Sequence, residues 1–271
     1  MVRSYPRLTV ENVAELEGPG LHSGMACRVR IHPGRQGFRF LTDSAWIDAI
    51  PENVTDTSRC TRLGDVSTVE HVLSALAGMG VTDADIEVSG GELPAADGCA
   101  EPFVRAILGA RFQDVGQIEV EGPFARVFSQ ELPSKYAVGT GEGWWRAAYV
   151  REGEFVGRQE YEFQWSAERY SLEVAPARTF VLESELAFAQ AAGLGRGLDG
   201  DSCLVVGSAG YGNTARFDDE PSRHKLLDLI GDLALAGVPV AHLDVVAEFT
   251  GHTLNVAVAK KLRDSVKVSR S

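Results

Sequence analysis

The stretch SRHKLLDLIGDLAL, residues 222–235, carries Leu226, Leu227, Leu229, Ile230 and Leu233 at helical spacing, and that periodicity predicts a helix with one apolar face. His224, Asp228 and Asp232 follow one another every four residues, so on a helix they share a stripe beside that face. Lys225 stands next to them. Side chains at i and i+4 project to the same side, so His224 and Asp228 can grip one metal ion, with a third ligand from elsewhere in the chain. The bland alternative has His224 capping the helix start and the aspartates facing solvent. Spacing alone leaves both readings open.

Working outward, the rest of the chain reads as two halves of similar plan. The first gives strands at CRVRIHP and GFRFLT, a helix from Ser67 through TVEHVLSALAGMG, a strand at DADIEVSG and a helix at AEPFVRAILGA. RFQDVGQIEVEGPF then breaks the pattern, which places a boundary near residue 115 and divides the chain into 1–115 and 116–271. The second half gives strands at YAVGT, WWRAAYV, QEYEFQW and SLEVAPARTFV, a helix at ESELAFAQAAGLG and a strand at CLVVG. The helix of residues 222–235, a strand at AHLDVVAEF and a last helix from Thr253 to Asp264 complete it. Mixed sheets covered by helices in each half point to an α+β fold rather than a doubly wound parallel sheet. The KVSRS tail reads as disordered.

The 271 residues carry 26 Lys plus Arg against 38 Asp plus Glu, a net charge of −12. That balance disfavours non-specific nucleic-acid binding and adhesion to an anionic membrane; an anionic substrate would need locally placed cations. Cys27, Cys60, Cys99 and Cys203 are scattered with no CxxC pair, which favours reduced thiols in a cytoplasm over a disulfide or zinc-finger framework. The N-terminus has no apolar signal region. The longest apolar run is short and holds Asp232, so no integral membrane segment is expected.

Three further places could carry chemistry. Glu70 and His71 open a helix in STVEHVLSAL, where Ser67 and Glu70 also fit a capping box, which would explain the glutamate without catalysis. A metal hydrolase would instead need a carboxylate beside a ligand to accept a proton from water. His252, in FTGHTLN, follows a glycine at a strand-to-helix junction. Thr179, in APARTF, says little alone. GLGRGLDGD lacks the ending of a phosphate loop and reads as a connector.

Taken in order, GPGLHSG, STVEHVLSALAG, DGCAEPF, ARTF, RHKLLDLIGDL and GHTLN resemble the zinc-dependent UDP-3-O-acyl-N-acetylglucosamine deacetylases of lipid A biosynthesis, from about Gly18 to Lys260. The resemblance implies two similar two-layer α/β sandwich domains packed with the active site between them, and an insert in the second that shapes a passage for an acyl chain. It implies His71, His224 and Asp228 as ligands of Zn2+, with Fe2+ also compatible with two histidines and an aspartate. Glu70 would be the general base. His252, kept charged, would stabilise the oxyanion and protonate the leaving amine, and Asp232 would orient it. Thr179 would offer its hydroxyl to the tetrahedral intermediate, Lys225 would face the substrate's polar groups, and Phe180 would lie near the sugar. A small acylated UDP-amino sugar would be the partner of a monomeric, cytoplasmic enzyme.

The departures all fall on substrate recognition. Phe249 stands where the family usually has a lysine reaching the diphosphate. The uridine-contacting stretch has no counterpart in YVREGEFVGRQEYEFQW, and GLD (197–199) replaces Gly-Gly-Ser. Two alternatives therefore stand beside the first reading: the same deacetylation of a different N-acylated sugar or glycolipid precursor, and a non-catalytic ligand-binding module. The retained Glu70 and His252 argue against the last.

Overall fold

A computed structural model describes residues 2–41, 45–123, 127–131, 133–151 and 155–271. Thr42, Phe124 and positions 152–154, which end or interrupt stretches read above, lie outside the described residues. The first half contains β1 (Val2–Val10), β2 (Ala14–Pro19), β3 (Ala26–Pro33), β4 (Phe38–Leu41), β5 (Trp46–Asp48), β6 (Val54–Asp56), β7 (Arg62–Leu63), α1 (Glu70–Gly78), β8 (Ala84–Ser89) and α2 (Glu101–Ala110). β9 (Phe112–Glu121) leads into β10 (Val127–Glu131), β11 (Ser134–Thr140), β12 (Trp144–Arg151) and β13 (Gly157–Gln164). Next come α3 (Ala167–Arg169), β14 (Phe180–Leu182), α4 (Leu186–Ala191), β15 (Leu204–Val206), α5 (Glu220–Ala234), β16 (Leu243–Glu248), α6 (His252–Asp264) and β17 (Lys267–Arg270).

Two five-stranded sheets share one topology. Their orders are β2-β3-β8-β4-β5 and β10-β11-β16-β12-β13. In each, the central strand runs antiparallel to one hairpin and parallel to the first strand of the other. In each, that central strand sits between two helices, α1 and α2 or α5 and α6. The chain has thus used one α+β plan twice. α1 and α5 lie against each other, and every residue of α1 is buried. A helix closed off on all sides is wedged between layers rather than laid on a surface. A third sheet, β1-β9-β17, ties the beginning, middle and end of the chain together.

Three expectations are corrected. The helix expected from Ser67 starts at Glu70, because Thr68 adopts a positive φ of 63°, a left-handed conformation that a β-branched residue enters only under strain. No capping box forms. Ser67 N–H pairs with Gly91 O, and the Glu70 carboxylate accepts from Thr61 N instead. The stretch SLEVAPARTFV is not one strand. Residues 170–174 continue the turn begun by α3 as a wider π-type helix. Ser166 caps it by accepting from Arg169 N, Arg169 pairs with Glu173 one turn on, and Tyr170 and Val174 are buried on one side. Only Phe180–Leu182 is extended. The tail is also ordered: β17 pairs with β9 from Lys267 to Arg270.

Candidate active site

The two halves meet at a cleft of about 510 Å3 whose walls include His22, Glu70, His71, Thr179, Phe180, His224, Lys225, Asp228, Phe249 and His252. Every residue given a ligand, catalytic or substrate role in the sequence except Asp232 lines it, and Asp232 lies directly behind His252. α1 brings Glu70 and His71, α5 brings His224, Lys225 and Asp228, and the N-terminus of α6 brings His252.

His71, His224 and Asp228 are buried, and one ligand atom from each falls within 4.8 Å of the others. Asp228 Oδ1 lies 3.4 Å from His224 Nε2 and 3.7 Å from His71 Nε2. His224 donates from Nδ1 to Ala177 O at 3.0 Å, which leaves its Nε2 lone pair facing Asp228. Burial, helped by Lys225 and His71 and opposed by Asp228, pulls the His224 pKa down to about 4, so the ring is neutral at pH 7. Burial would push Asp228 up, but His224, Lys225 and the nearby His71 hold it well below the carboxylate range. Lys225 Nζ occupies Asp228 Oδ2 at 2.9 Å, whereas the buried Oδ1 has no hydrogen-bond partner among the described residues. Two imidazole nitrogens and an orphaned carboxylate oxygen turned to one point fit a divalent cation.

Beside this cluster, Glu70 is 3 % exposed. Its Oε2 is held by Thr61 N at 2.9 Å, and its Oε1 lies 3.9 Å from His252 Nε2. Burial, reinforced by Asp232 and Asp228 and opposed by the two histidines, raises its pKa. His252 donates from Nδ1 to Asp232 Oδ2 at 2.9 Å. Burial pulls its pKa down, but Asp232 and Glu70 outweigh that and lift it to about 9. The ring is an imidazolium at neutral pH.

Lys225 is committed to Asp228 and lies 5.4 Å over the Phe180 ring. Phe180 packs edge-on to His224 and to Tyr149. Thr179 lies at the cleft wall, its N–H donating to Gly98 O. Gly98 has a φ of +68°, and a Cβ there would sit 1.9 Å from Ser202 O. A larger residue would drive the Thr179 wall away.

Several supports escaped the sequence reading. Thr61 Oγ1 donates to Asp232 Oδ1, Asn255 Nδ2 to Asp232 Oδ2 at 2.8 Å, and Tyr136 OH to Asn255 Oδ1 at 2.8 Å. Of Thr61, Asn255 and Tyr136, only Asn255 had a motif signal, as the last residue of GHTLN. Arg178, inside ARTF, is buried and grips Glu220 at the start of α5 through Nε and Nη2. It fixes β14 to the helix that carries His224. Glu92 accepts from the backbone N–H groups of His22 and Ser23 at 2.7 and 2.9 Å, shaping the loop read as GPGLHSG.

A second cavity, of about 830 Å3, adjoins the cleft and shares His22, Arg59, Thr179 and Phe180 with it. Val181, Leu182, Leu186, Phe188, Leu194 and Leu198 give it an apolar side, while Arg59, Arg151, Glu185 and Asp199 also line it.

Fold and site together define an amide-cleaving hydrolase of the deacetylase kind. Residues 7–264 match the LpxC family, UDP-3-O-acyl N-acetylglycosamine deacetylase, and the chain belongs to that family. It is 37% identical over 270 residues to the UDP-3-O-acyl-N-acetylglucosamine deacetylase of Trichormus variabilis, covering 90% of this chain and 94% of that one. Against the proteins of that name from Aquifex aeolicus and Myxococcus xanthus the identity is 34% in each case. Those matches cover 97% and 96% of this chain, and 94% and 87% of theirs.

Proposed function

We propose that this protein removes the N-acetyl group from UDP-3-O-acyl-N-acetylglucosamine, the deacetylation that serves lipid A biosynthesis, using zinc held by His71, His224 and Asp228. The observation that carries the reading is the convergence of those ligand atoms from α1 and α5 within 4.8 Å. A bound zinc ion supplies Lewis-acid polarisation of oxygen. Two imidazoles and one carboxylate leave coordination positions for that chemistry, which favours a catalytic over a structural ion.

The chain's own groups perform the proton transfers. Glu70, with Oε1 clear of backbone donors and its affinity for protons raised, takes the proton from the attacking water. His252 enters as the imidazolium. It donates a hydrogen bond where negative charge develops on the acetyl oxygen, and then its proton to the departing amine. Asp232 fixes the Nδ1 side of that ring and keeps it charged. Thr179 donates a hydrogen bond from its hydroxyl to an oxygen of the tetrahedral intermediate. Phe180 packs against the sugar, and Lys225 borders the substrate's polar groups while tethering Asp228. The apolar side of the adjoining cavity, with Leu182, Leu186 and Phe188, takes the 3-O-acyl chain.

The same reading divides the chain near residue 115, with Glu70 and His71 from 1–115 and the other groups from 116–271. It places the enzyme in the cytoplasm, in keeping with the four free cysteines. No helix among the described residues is long and apolar enough to cross a membrane. The same reading takes the enzyme as a monomer.

A second reading keeps the chemistry and changes the sugar: Phe249 lines the cleft where the family's diphosphate lysine usually stands. Acetate release from the UDP-sugar and from its nucleotide-free counterpart tests both. A strong preference for the UDP-sugar supports the first reading. Equal rates establish the second, and no release from either removes the deacetylase.

A further inference from the structure

At the other end of the α1–α5 pair lies a cavity of about 370 Å3 that takes no part in the site described above. The cleft uses residues 70 and 71 of α1, whereas this cavity is bounded by Ala77 and Met79, roughly 10 Å further along at helical rise. Both halves contribute apolar walls, among them Phe38, Ile50, Trp165 and Val240. Its volume falls in the range of small-molecule sites and is too small for a lipid with two chains.

Its polar lining is sparse and lopsided. Arg263 and Arg270 face it with a single carboxylate, Asp48. Neither guanidinium makes a hydrogen bond to any described residue. The nearest acid to Arg270 is Asp83, at 4.0 Å from Nε. Asp83 is already taken by Arg7, Gly37 N and Thr82. The nearest acid to Arg263 is Glu52, at 3.9 Å, and Glu52 is taken by Lys260. Burial, with Arg7 and Arg263 nearby and only Asp83 opposing, pulls the Arg270 pKa down, so an added anion relieves a crowd of cations. Two guanidinium forks, each with only a long ion pair to a carboxylate already engaged elsewhere, beside an apolar hollow complement a carboxylate on an alkyl chain. With one acid already present, a single negative charge completes the balance.

We propose that this cavity binds a single-chain fatty acid, its alkyl chain between the two halves and its carboxylate on Arg263 and Arg270. The inference is independent of the reaction at the cleft. Trp165 on the cavity wall supplies the reporter, since a bromine carried on the bound chain quenches an adjacent indole.

The test is a titration of the full chain with 11-bromoundecanoate, read by tryptophan fluorescence. Saturable quenching is expected, and it should vanish in Trp165→Phe. The Kd should rise at least tenfold in the double variant Arg263→Gln, Arg270→Gln. 11-Bromoundecanol, which lacks the carboxylate, should bind unaltered protein at least tenfold more weakly and so tests the charge requirement without relying on the variant's folding. Absence of quenching overturns the proposal, as does quenching that persists without Trp165, which would place the chain elsewhere, for example beside Phe180. Equal affinity for acid and alcohol also overturns it.

Discussion

Gly231 of α5 lies flat against the backbone of Glu70 in α1: a Cβ built on Gly231 would stand 2.0 Å from the Glu70 carbonyl oxygen and 3.2 Å from its Cα. A helix interior ordinarily loses stability by carrying glycine. Here the missing side chain lets the two metal-bearing helices touch. Gly231→Ala must push α1 away from α5 and separate His71 from His224 and Asp228. We expect it to cost about 1–3 kcal/mol, the usual range for overpacking, and to weaken zinc binding by tenfold or more. Competition with a chromophoric chelator measures the second effect; unchanged zinc affinity would show that the close approach does not set the site's geometry.

The His252–Asp232 pair makes a prediction in pH. Turnover needs Glu70 ionised and His252 protonated, so the rate should rise with pH through the elevated Glu70 pKa and fall again near pH 9. Asp232→Asn removes the negative charge that most strongly raises the His252 pKa. The imidazolium then loses its proton at lower pH, so the alkaline limb of kcat/KM should move toward neutrality while the acid limb moves much less. A matching profile for both proteins would refute the assignment of His252 as the acid.

Glu70 and His71 are adjacent in sequence but have different tasks, and two substitutions separate them. Glu70→Gln keeps the shape and the Thr61 contact but cannot accept a proton. It should retain zinc while turnover falls about a hundredfold or more. His71→Ala removes a ligand and should lose metal and activity together. Metal content by plasma emission, measured beside acetate release, distinguishes the two. Full zinc retention in His71→Ala would remove the ligand set.

Much of this site was legible because its residues lie close in sequence on regular elements. The four-residue spacing of His224, Asp228 and Asp232 survives directly in α5. What the sequence could not show was long-range or strained. Thr61 meets Asp232 across 171 positions, and no local pattern marks it. Ser67 and Glu70 satisfy a capping pattern that extends the expected helix back to Ser67, while the positive φ of Thr68 comes with tertiary contacts that hold Ser67 against Gly91. A similar left-handed turn at Phe249, with φ 52°, precedes α6 and was equally invisible. The tail read as disordered because β17 is short and mostly exposed. Its order comes from the partner strand β9. The repeated sheet order is likewise a property of pairing, not of residue identity.

Asp83 is fully buried and accepts from Arg7 Nη2 at 2.9 Å, Gly37 N at 2.8 Å and Thr82 Oγ1 at 2.7 Å. Burial alone would raise its pKa, but these donors outweigh it and the net shift is downward. A carboxyl whose folded pKa is depressed stabilises the fold above its unfolded value, near pH 4, and loses that contribution as the pH falls through the folded pKa. Asp83→Asn leaves Arg7 with a buried charge and no anion, so it should cost about 3–5 kcal/mol at pH 7. The gap between the two proteins should narrow as the pH drops from 5 toward 2, because protonation removes the same charge from the unaltered chain. Denaturant midpoints across that range provide the measurement, and a gap that stays constant would show that packing, not charge, is what Asp83 contributes.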